Sequence, residues 1–97
     1  MEIAITTLTE YGKDKIRATK EQELRAEHGP STLVLFEIGK YYIMYGESAK
    51  AAAEVLNSET HERNREEIFE IPTRLDYMYF PKLVKRGYKM VVIENNL

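Results

Sequence analysis

The chain has 97 residues, of which 43% are hydrophobic, and its formal net charge at pH 7 is −2. This length and composition suit one domain with one modest core. The sequence contains no cysteine, which excludes disulfides, thiolate zinc sites and cysteine nucleophiles and fits a reducing compartment. The weakly negative charge argues against strong, sequence-independent binding to nucleic acid. Any contact with a phosphate backbone would therefore depend on a local basic patch.

The amino-terminal residues show no targeting pattern. Met1–Thr6 lack a basic region followed by an apolar core, and no apolar run approaches the ~20 residues that span a bilayer. We therefore expect a soluble, cytoplasmic protein without a membrane partner.

The first predicted elements are a short strand and a charged helix. Glu2–Leu8 is rich in β-branched residues and predicts an edge strand. Lys13–His28 is charged and helix-favouring, with Ile16, Leu24 and the alanines between them as an apolar stripe, and Gly29 follows it. Because the stripe is narrow, we expect this helix to be mostly solvated.

Two strands and a second helix follow. Thr32–Ile38 is almost continuously apolar, which predicts a strand covered on both faces. The dipeptide Gly39-Lys40 predicts a tight hairpin into Tyr41–Tyr45, because glycine in the first loop position suits a two-residue turn. Apolar residues then recur at helical spacing, at Ala49, Ala52, Ala53 and Leu56. We expect that helix to pack closely on a sheet.

The last third of the chain predicts two further strands and a helix. Asn57–Glu67 is polar and without period, which predicts a surface loop or a ragged hairpin. A brief strand follows and stops at Pro72, since proline disfavours an internal ladder position. The next helix is expected to open just before Pro81, because proline inside a helix costs ~3 kcal/mol, and to close at Gly87. Tyr88–Ile93 then predicts a buried strand.

The order of these elements predicts one α/β (α+β) domain over residues 1–97, with a mixed sheet flanked by about three helices. The sequence contains no Gly-x-x-x-x-Gly-Lys-Ser/Thr loop and no Gly-x-Ser-x-Gly motif. The two histidines, His28 and His61, have no metal-like spacing. We therefore expect no enzymatic activity, no metal and no cofactor.

Two sequence blocks carry a family resemblance. Phe36–Ala49 reads FEIGKYYIMYGESA, and Lys82–Glu94 reads KLVKRGYKMVVIE. The first block resembles the mismatch-reading segment of MutS proteins, a Gly-x-Phe-Tyr-Glu-x-Phe run with an aromatic wedge and a glutamate. The second resembles the Leu-Val-Lys-x-Gly-Tyr-Lys-Val-Ala-x-x-Glu ending of the first MutS domain, and Ile71-Pro72 matches a Val-Pro between the two. Over about residues 20–94 the chain is similar to MutS domain I, the amino-terminal mismatch-recognition domain.

This resemblance implies binding of mismatched, distorted or branched double-stranded DNA, linked to mismatch repair. Tyr41 takes the position of the wedge, whose ring stacks on a base. Ile43 takes the position of the glutamate, but it can neither donate nor accept a hydrogen bond. Lys40 at the hairpin tip and Arg74 after Pro72 are candidates for phosphate contacts. The candidate DNA-binding residues are therefore Tyr41, Ile43, Lys40 and Arg74.

The same residues allow an alternative function. From spacing alone, Tyr41, Ile43 and Tyr45 are one face of a strand, which is what a core strand contains. A degenerate domain of this kind would act as a protein-interaction or dimerisation module without DNA readout. Its partner would be a second copy pairing through the edge strand at Ile3–Leu8, or a protein that supplies the missing clamp. Three tyrosines would suit a protein interface, Tyr77, Tyr79 and Tyr88.

Overall fold

The computed structural model describes residues 10–94, and the side chains of residues 12–94. Within that range the chain forms three α-helices and five β-strands. In chain order they are α1 (Glu10–His28), β1 (Thr32–Ile38), β2 (Tyr41–Tyr45), α2 (Gly46–Val55), β3 (His61–Arg63), β4 (Glu66–Pro72), α3 (Asp76–Lys85) and β5 (Lys89–Glu94). A 3-10 turn, Thr73–Leu75, joins β4 to α3. The strand predicted over Glu2–Leu8 lies outside the described residues.

The five strands form one mixed sheet in the order β3-β4-β2-β1-β5. Neighbouring strands are antiparallel, except that β1 and β5 are parallel. The hairpin between β1 and β2 has the predicted two-residue loop, Gly39-Lys40. Because helices cover both faces of the sheet, the predicted α+β fold with a mixed sheet and three helices is confirmed.

One face of the sheet packs against α2 and α3. The buried residues of this layer are Leu33, Leu35, Met44, Ala49, Ala52, Ala53, Phe69, Ile71 and Leu83. The side chains that α2 buries are all small, Ser48, Ala49, Ala52 and Ala53. Small side chains let the helix axis approach the sheet closely, so the close packing predicted from the alanine spacing is confirmed.

The opposite face of the sheet packs against α1. The buried apolar residues here are Ala18, Val34, Phe36, Ile43, Tyr45 and Ile68. More than half of the described side chains of α1 are exposed, as predicted, and its apolar stripe packs on the sheet through Ala18 and Leu24. Ile16 is 42% exposed, whereas Asp14, Arg17 and Glu21 are buried. These polar residues recur at helical spacing, and hydrogen bonds from the sheet and from α2 compensate for their burial.

The start of α3 also differs from the prediction. The helix begins at Asp76 and contains Pro81 in its interior. Proline lacks the N–H that would bond to the carbonyl of Tyr77, so the helix loses one hydrogen bond and tolerates local crowding there. Leu83 is fully buried and Phe80 packs against the same core. The burial of Phe80 and Leu83, on either side of Pro81, offsets the free-energy cost of the proline.

The last strand is not buried as predicted, because β5 lies at the edge of the sheet formed by the described residues. It has β1 on one side and no described strand on the other. Val92 is 41% exposed, and its neighbours Met90, Val91 and Ile93 are only partly buried. Strand β1, which lies between β2 and β5, is by contrast buried over Thr32–Phe36, as predicted.

The polar segment over Asn57–Glu67 folds as a hairpin rather than a loop. β3 pairs antiparallel with the start of β4, with His61 opposite Ile68. The turn contains Asn64 and Arg65, both with positive φ. Of the two predicted alternatives, the ragged hairpin is therefore the one that forms.

Candidate nucleic-acid interface

The β1–β2 hairpin fixes the position of the candidate residues. Gly39 has a φ of 61°, a value that glycine adopts without strain and that starts the two-residue turn. β2 also pairs with β4, and the register sets Tyr41 opposite Pro72. The backbone N–H of Thr73 donates to the carbonyl of Lys40 at 2.8 Å. The hairpin tip and the end of β4 therefore form one hydrogen-bonded corner of the sheet.

Three of the four predicted site residues meet at this corner. A surface recess of about 490 Å³ is lined by Lys40, Tyr41, Pro72, Thr73 and Arg74. Tyr41 is 46% exposed, and the side chains of both cations are exposed as well. The recess thus combines an accessible aromatic ring with two positive charges, the chemistry that binds an unstacked base and its phosphates. We call these five residues the hairpin corner.

Ile43 does not join the hairpin corner. It lies on the same face of β2 as Tyr41, because alternate residues of a strand share a face. That face is covered by α1 at this point, and only 5% of Ile43 is exposed. It packs in the apolar cluster that contains Phe36 and Tyr45. The side chain at the position of the family's glutamate is therefore part of the core.

The opposite face of the same strand is acidic rather than basic. Tyr42 packs against Phe80 with ring centroids 5.0 Å apart, and its hydroxyl donates to Asp76 at 3.5 Å. Burial raises the pKa of Tyr42, and the negative charges of Glu37, Asp76 and Glu94 raise it further. The charges that act on Tyr42 are therefore negative, whereas Lys40 and Arg74 flank Tyr41 at the hairpin corner.

A buried polar network anchors β2 to α1. The hydroxyl of Tyr45 donates to Asp14 Oδ1 at 2.6 Å, and Arg17 lies 3.4 Å from the same hydroxyl. Burial raises the pKa of Tyr45 to about 12, assisted by the hydrogen bond to Asp14. Both side chains of the pair are fully buried. Strand β2 is therefore held by a directed hydrogen bond as well as by apolar packing.

The β3–β4 hairpin supplies the remaining hydrogen-bond donors around Asp14. Arg63 donates two hydrogen bonds to the Asp14 carboxylate, at 2.9 and 3.0 Å, and Asn64 donates a third at 2.8 Å. Burial alone would raise the pKa of Asp14, but the hydrogen bonds from Arg63, Tyr45 and Asn64 hold it below its usual value. The same pairing raises the pKa of Arg63. One carboxylate thus joins α1, β2 and the β3–β4 hairpin.

A second buried carboxylate caps α2, which follows β2 directly. Glu21 Oε2 accepts hydrogen bonds from the backbone N–H of Ser48 at 3.1 Å, from its hydroxyl at 2.7 Å and from Arg25 at 2.9 Å. A negative charge is favourable at a helix amino terminus. The other oxygen, Oε1, is buried without a hydrogen-bond partner among the described residues. Glu21 therefore fixes the end of β2 opposite the hairpin corner.

The sequence missed these anchors but carried a signal for some of them. Asp14, Arg17 and Glu21 recur at helical spacing, which marks one face of a helix even though the residues are polar. Nothing in the sequence connects Asp14 to Arg63, because hydrogen-bonding partners separated by 49 positions leave no local pattern. The remaining members of the hairpin corner, Pro72 and Thr73, follow directly from the Ile71-Pro72 match.

The other basic residues and tyrosines considered for binding DNA or a protein lie outside the hairpin corner. Lys82, Lys85, Arg86 and Lys89 are exposed near the end of α3. Tyr77 is 71% exposed, but Tyr79 and Tyr88 are partly buried against the core. Among the described residues, no group of three or more histidine, aspartate or glutamate side chains could hold a metal ion. None of the helices in that same range is long and apolar enough to cross a membrane.

The sequence is similar to known mismatch-repair proteins. It matches the family model of MutS domain I over residues 20–96. The DNA mismatch repair protein MutS of Christiangramia forsetii is 35% identical over 69 residues, which cover 67% of this chain and 8% of that protein. MutS of Methanosarcina barkeri is 32% identical over 71 residues, or 67% of this chain and 8% of the relative. MutS of Thermotoga petrophila is 32% identical over 81 residues, or 82% of this chain and 10% of the relative.

This chain spans no more than a tenth of the length of these three relatives. The matched region contains the strand–turn–strand segment at Phe36–Ala49, the carboxy-terminal block at Lys82–Glu94 and the whole hairpin corner. The family model covers well over half of the chain. The chain therefore belongs to the MutS domain I family of DNA mismatch repair.

Proposed function

We propose that this domain binds DNA at mismatched, distorted or branched sites through the hairpin corner. Tyr41 stacks on a base that is unpaired or poorly paired, and Lys40 and Arg74 contact the flanking phosphates. The observation that carries the proposal is the half-exposed ring of Tyr41 between two exposed cations. The relatives' name, DNA mismatch repair protein, supports the same class of ligand.

Stacking at Tyr41 favours defective sites for an energetic reason. An aromatic ring stacked on a base contributes ~1 to 3 kcal/mol and depends little on base identity. Entering the duplex costs a few kcal/mol of unstacking, and this cost is lowest where pairing is already defective. A preference for distorted DNA therefore requires no hydrogen bond to the base.

The burial of Ile43 sets a limit on this readout. An aliphatic side chain in the core offers no donor or acceptor to a base. We therefore expect similar affinities for different mismatches in the same sequence context. We expect weak binding overall, because one stacking ring and two phosphate contacts form a small interface.

The test is fluorescence anisotropy at low salt with matched, mismatched and branched duplexes of equal length. Tyr41→Ala should remove most of the difference between defective and matched duplexes, a loss of ~5- to 150-fold for 1 to 3 kcal/mol of stacking. Tyr77→Ala is the matched control, because Tyr77 is an exposed tyrosine outside the hairpin corner. Equal binding of all duplexes by the wild type, or an equal effect of both substitutions, would contradict the proposal.

A second candidate is a protein-interaction module that has kept the fold without DNA readout. Two observations favour it, namely the aliphatic core residue at position 43 and the acidic group around Tyr42 close to the hairpin corner. The partner would be a second copy or a protein that supplies the clamp. Under this alternative no duplex binds measurably even at low salt, whereas the folded domain remains intact by circular dichroism.

A further inference from the structure

Among the described residues, the outer edge of β5 is one of two unpaired edges of the sheet, and the other belongs to the three-residue strand β3. β5 pairs with β1 over Thr32–Glu37, and no described strand lies on its other side. Its packing contacts are chiefly with β1, whereas the three helices lie mainly over the other strands. A free edge of this kind offers a row of backbone donors and acceptors to another strand.

The hydrogen bonds to β1 define which residues of β5 face outward. The N–H of Lys89 donates to the carbonyl of Ser31, beside β1, at 2.9 Å. In a strand the N–H and C=O of one residue point to the same side, and successive residues alternate. Lys89, Val91 and Ile93 therefore bond inward to β1. The backbone groups of Met90, Val92 and Glu94 point to the free edge.

The side chains of β5 favour pairing over solvation. Val92 is 41% exposed and its apolar neighbours are partly exposed, and the strand contains no proline. The only charges of β5 are at its ends, Lys89 at the start and Glu94 at the end. An antiparallel copy of the same strand brings the Lys89 end near the Glu94 end, with the two side chains on opposite faces of the sheet, whereas a parallel copy sets like charges directly opposite each other.

We propose that the domain self-associates by antiparallel pairing of β5 with β5 of a second copy, centred on Val92. In this register the two Val92 residues face each other, and Met90 faces Glu94 of the second copy. All three outward-facing residues of each strand are then hydrogen-bonded. The two-fold axis is perpendicular to the sheet, so the α1 helices of both copies lie on the same face of a continuous ten-stranded sheet.

The size of this contact sets the concentration at which it forms. One strand pair with partly exposed faces lies at the small end of specific interfaces, so we expect dissociation on the order of 100 µM. Sedimentation velocity from about 5 to 500 µM should show a shift from monomer to dimer. A monomer throughout this range would overturn the proposal.

Val92→Pro tests the backbone contribution. The N–H of Val92 faces the free edge, so proline removes a donor from the self-association while the bonds to β1 remain, and proline is tolerated on an edge strand in this orientation. We expect loss of the dimer with an unchanged circular dichroism spectrum. A folded Val92→Pro variant that dimerises like the wild type would contradict the proposal.

Single cysteines test the register independently of folding effects, since the chain has no cysteine of its own. Residues facing each other in a hydrogen-bonded antiparallel pair have Cα atoms ≈ 5.5 Å apart, within the range that a disulfide spans. Val92→Cys should form an interchain disulfide under mild oxidation at least tenfold faster than Val84→Cys, a control valine that is 55% exposed on α3. Equal rates would contradict the register.

Hydrogen exchange identifies what covers the edge. The amides of Val92 and Glu94 should exchange rapidly in dilute protein and become protected at high concentration, whereas those of Val91 and Ile93 should be protected at both. Protection of the edge amides in the dilute monomer would mean that another segment of the same chain pairs with β5. That result would overturn self-association.

Discussion

At the scale of single residues, the orientation of Tyr41 depends on a buried hydrogen bond farther along the same strand. Tyr41 is useful as a stacking ring only if β2 holds it in one orientation, and β2 is held at Tyr45 by the hydrogen bond to Asp14. The rings of Phe36 and Tyr45 meet edge to face, with centroids 5.7 Å apart. The aromatic residues at positions 41 and 45 share a strand, but one is exposed and the other is fully buried.

Removing the Tyr45 hydroxyl should lower stability without changing the fold. In Tyr45→Phe, Asp14 loses its shortest hydrogen bond but keeps those from Arg63 and Asn64. We expect the free energy of unfolding to fall by ~1.5 to 3 kcal/mol, the range for a hydrogen bond to a charged group. Urea denaturation measures this change. Tyr42→Phe is the control, and because its 3.5 Å contact is weaker, an equally large loss there would contradict the assignment.

The raised pKa of Tyr45 predicts a loss of stability at alkaline pH. Its pKa is about 12 in the folded state, against 10.0 for an ordinary tyrosine. The folded state therefore holds the proton more tightly, so this stabilisation is complete below pH ~10 and is lost as the pH rises toward 12. Urea midpoints measured between pH 8 and 12 should fall less in Tyr45→Phe than in the wild type. Parallel curves for the two proteins would refute this role of Tyr45.

The lowered pKa of Asp14 predicts a loss of stability at acidic pH. A carboxylate with a folded-state pKa below its ordinary value of 3.8 stabilises the fold above that value. The contribution is lost as the pH falls below ~4 and through the folded-state pKa. Asp14→Asn should therefore be less stable than the wild type at pH 7, with a difference that shrinks toward pH 2. A difference that stays constant between pH 7 and 2 would argue against a charged Asp14.

At the scale of secondary-structure elements, the sequence predicted several apolar elements of the fold and missed the polar packing of α1. β1, the Gly39-Lys40 turn and the alanine face of α2 follow from local rules of burial and turn geometry. The packing face of α1 does not, because three of the four buried residues described on this helix are polar, Asp14, Arg17 and Glu21. A hydrophobicity pattern assigns such residues to solvent, and only their distant partners show otherwise.

The contact between α1 and α2 can be tested at Glu21. Glu21→Ala removes the acceptor for the amino terminus of α2 and leaves the Ser48 hydroxyl without its buried partner. We expect a loss of ~2 to 4 kcal/mol, which combines a lost cap with a buried group left unsatisfied. Thermal or urea unfolding measures it. Glu23→Ala, an exposed glutamate of the same helix, should cost less than ~0.5 kcal/mol, and equal losses would show that Glu21 has no special role.

At the scale of the whole molecule, charge is distributed unevenly around a total of −2. The hairpin corner carries Lys40 and Arg74, while Glu37, Asp76 and Glu94 surround Tyr42 on the other face of the same strand. The candidate site could be named from the sequence because the resemblance points to Tyr41 and its neighbours. The burial of Ile43 and the acidic opposite face could not be predicted in that way, since both depend on how α1 and α3 pack on the sheet.

This uneven charge predicts how DNA binding responds to salt. Two phosphate contacts should give a slope of about −2 in a plot of log affinity against log salt concentration, because each contact releases about 0.9 counterions from duplex DNA. Lys40→Gln should reduce the slope by about one unit. Lys85→Gln, an exposed cation near the end of α3, should leave it unchanged. Anisotropy titrations from 20 to 150 mM salt measure the three slopes. Equal reductions in both variants would mean that DNA follows the basic end of α3 as well, and that the hairpin corner is only one part of a wider interface.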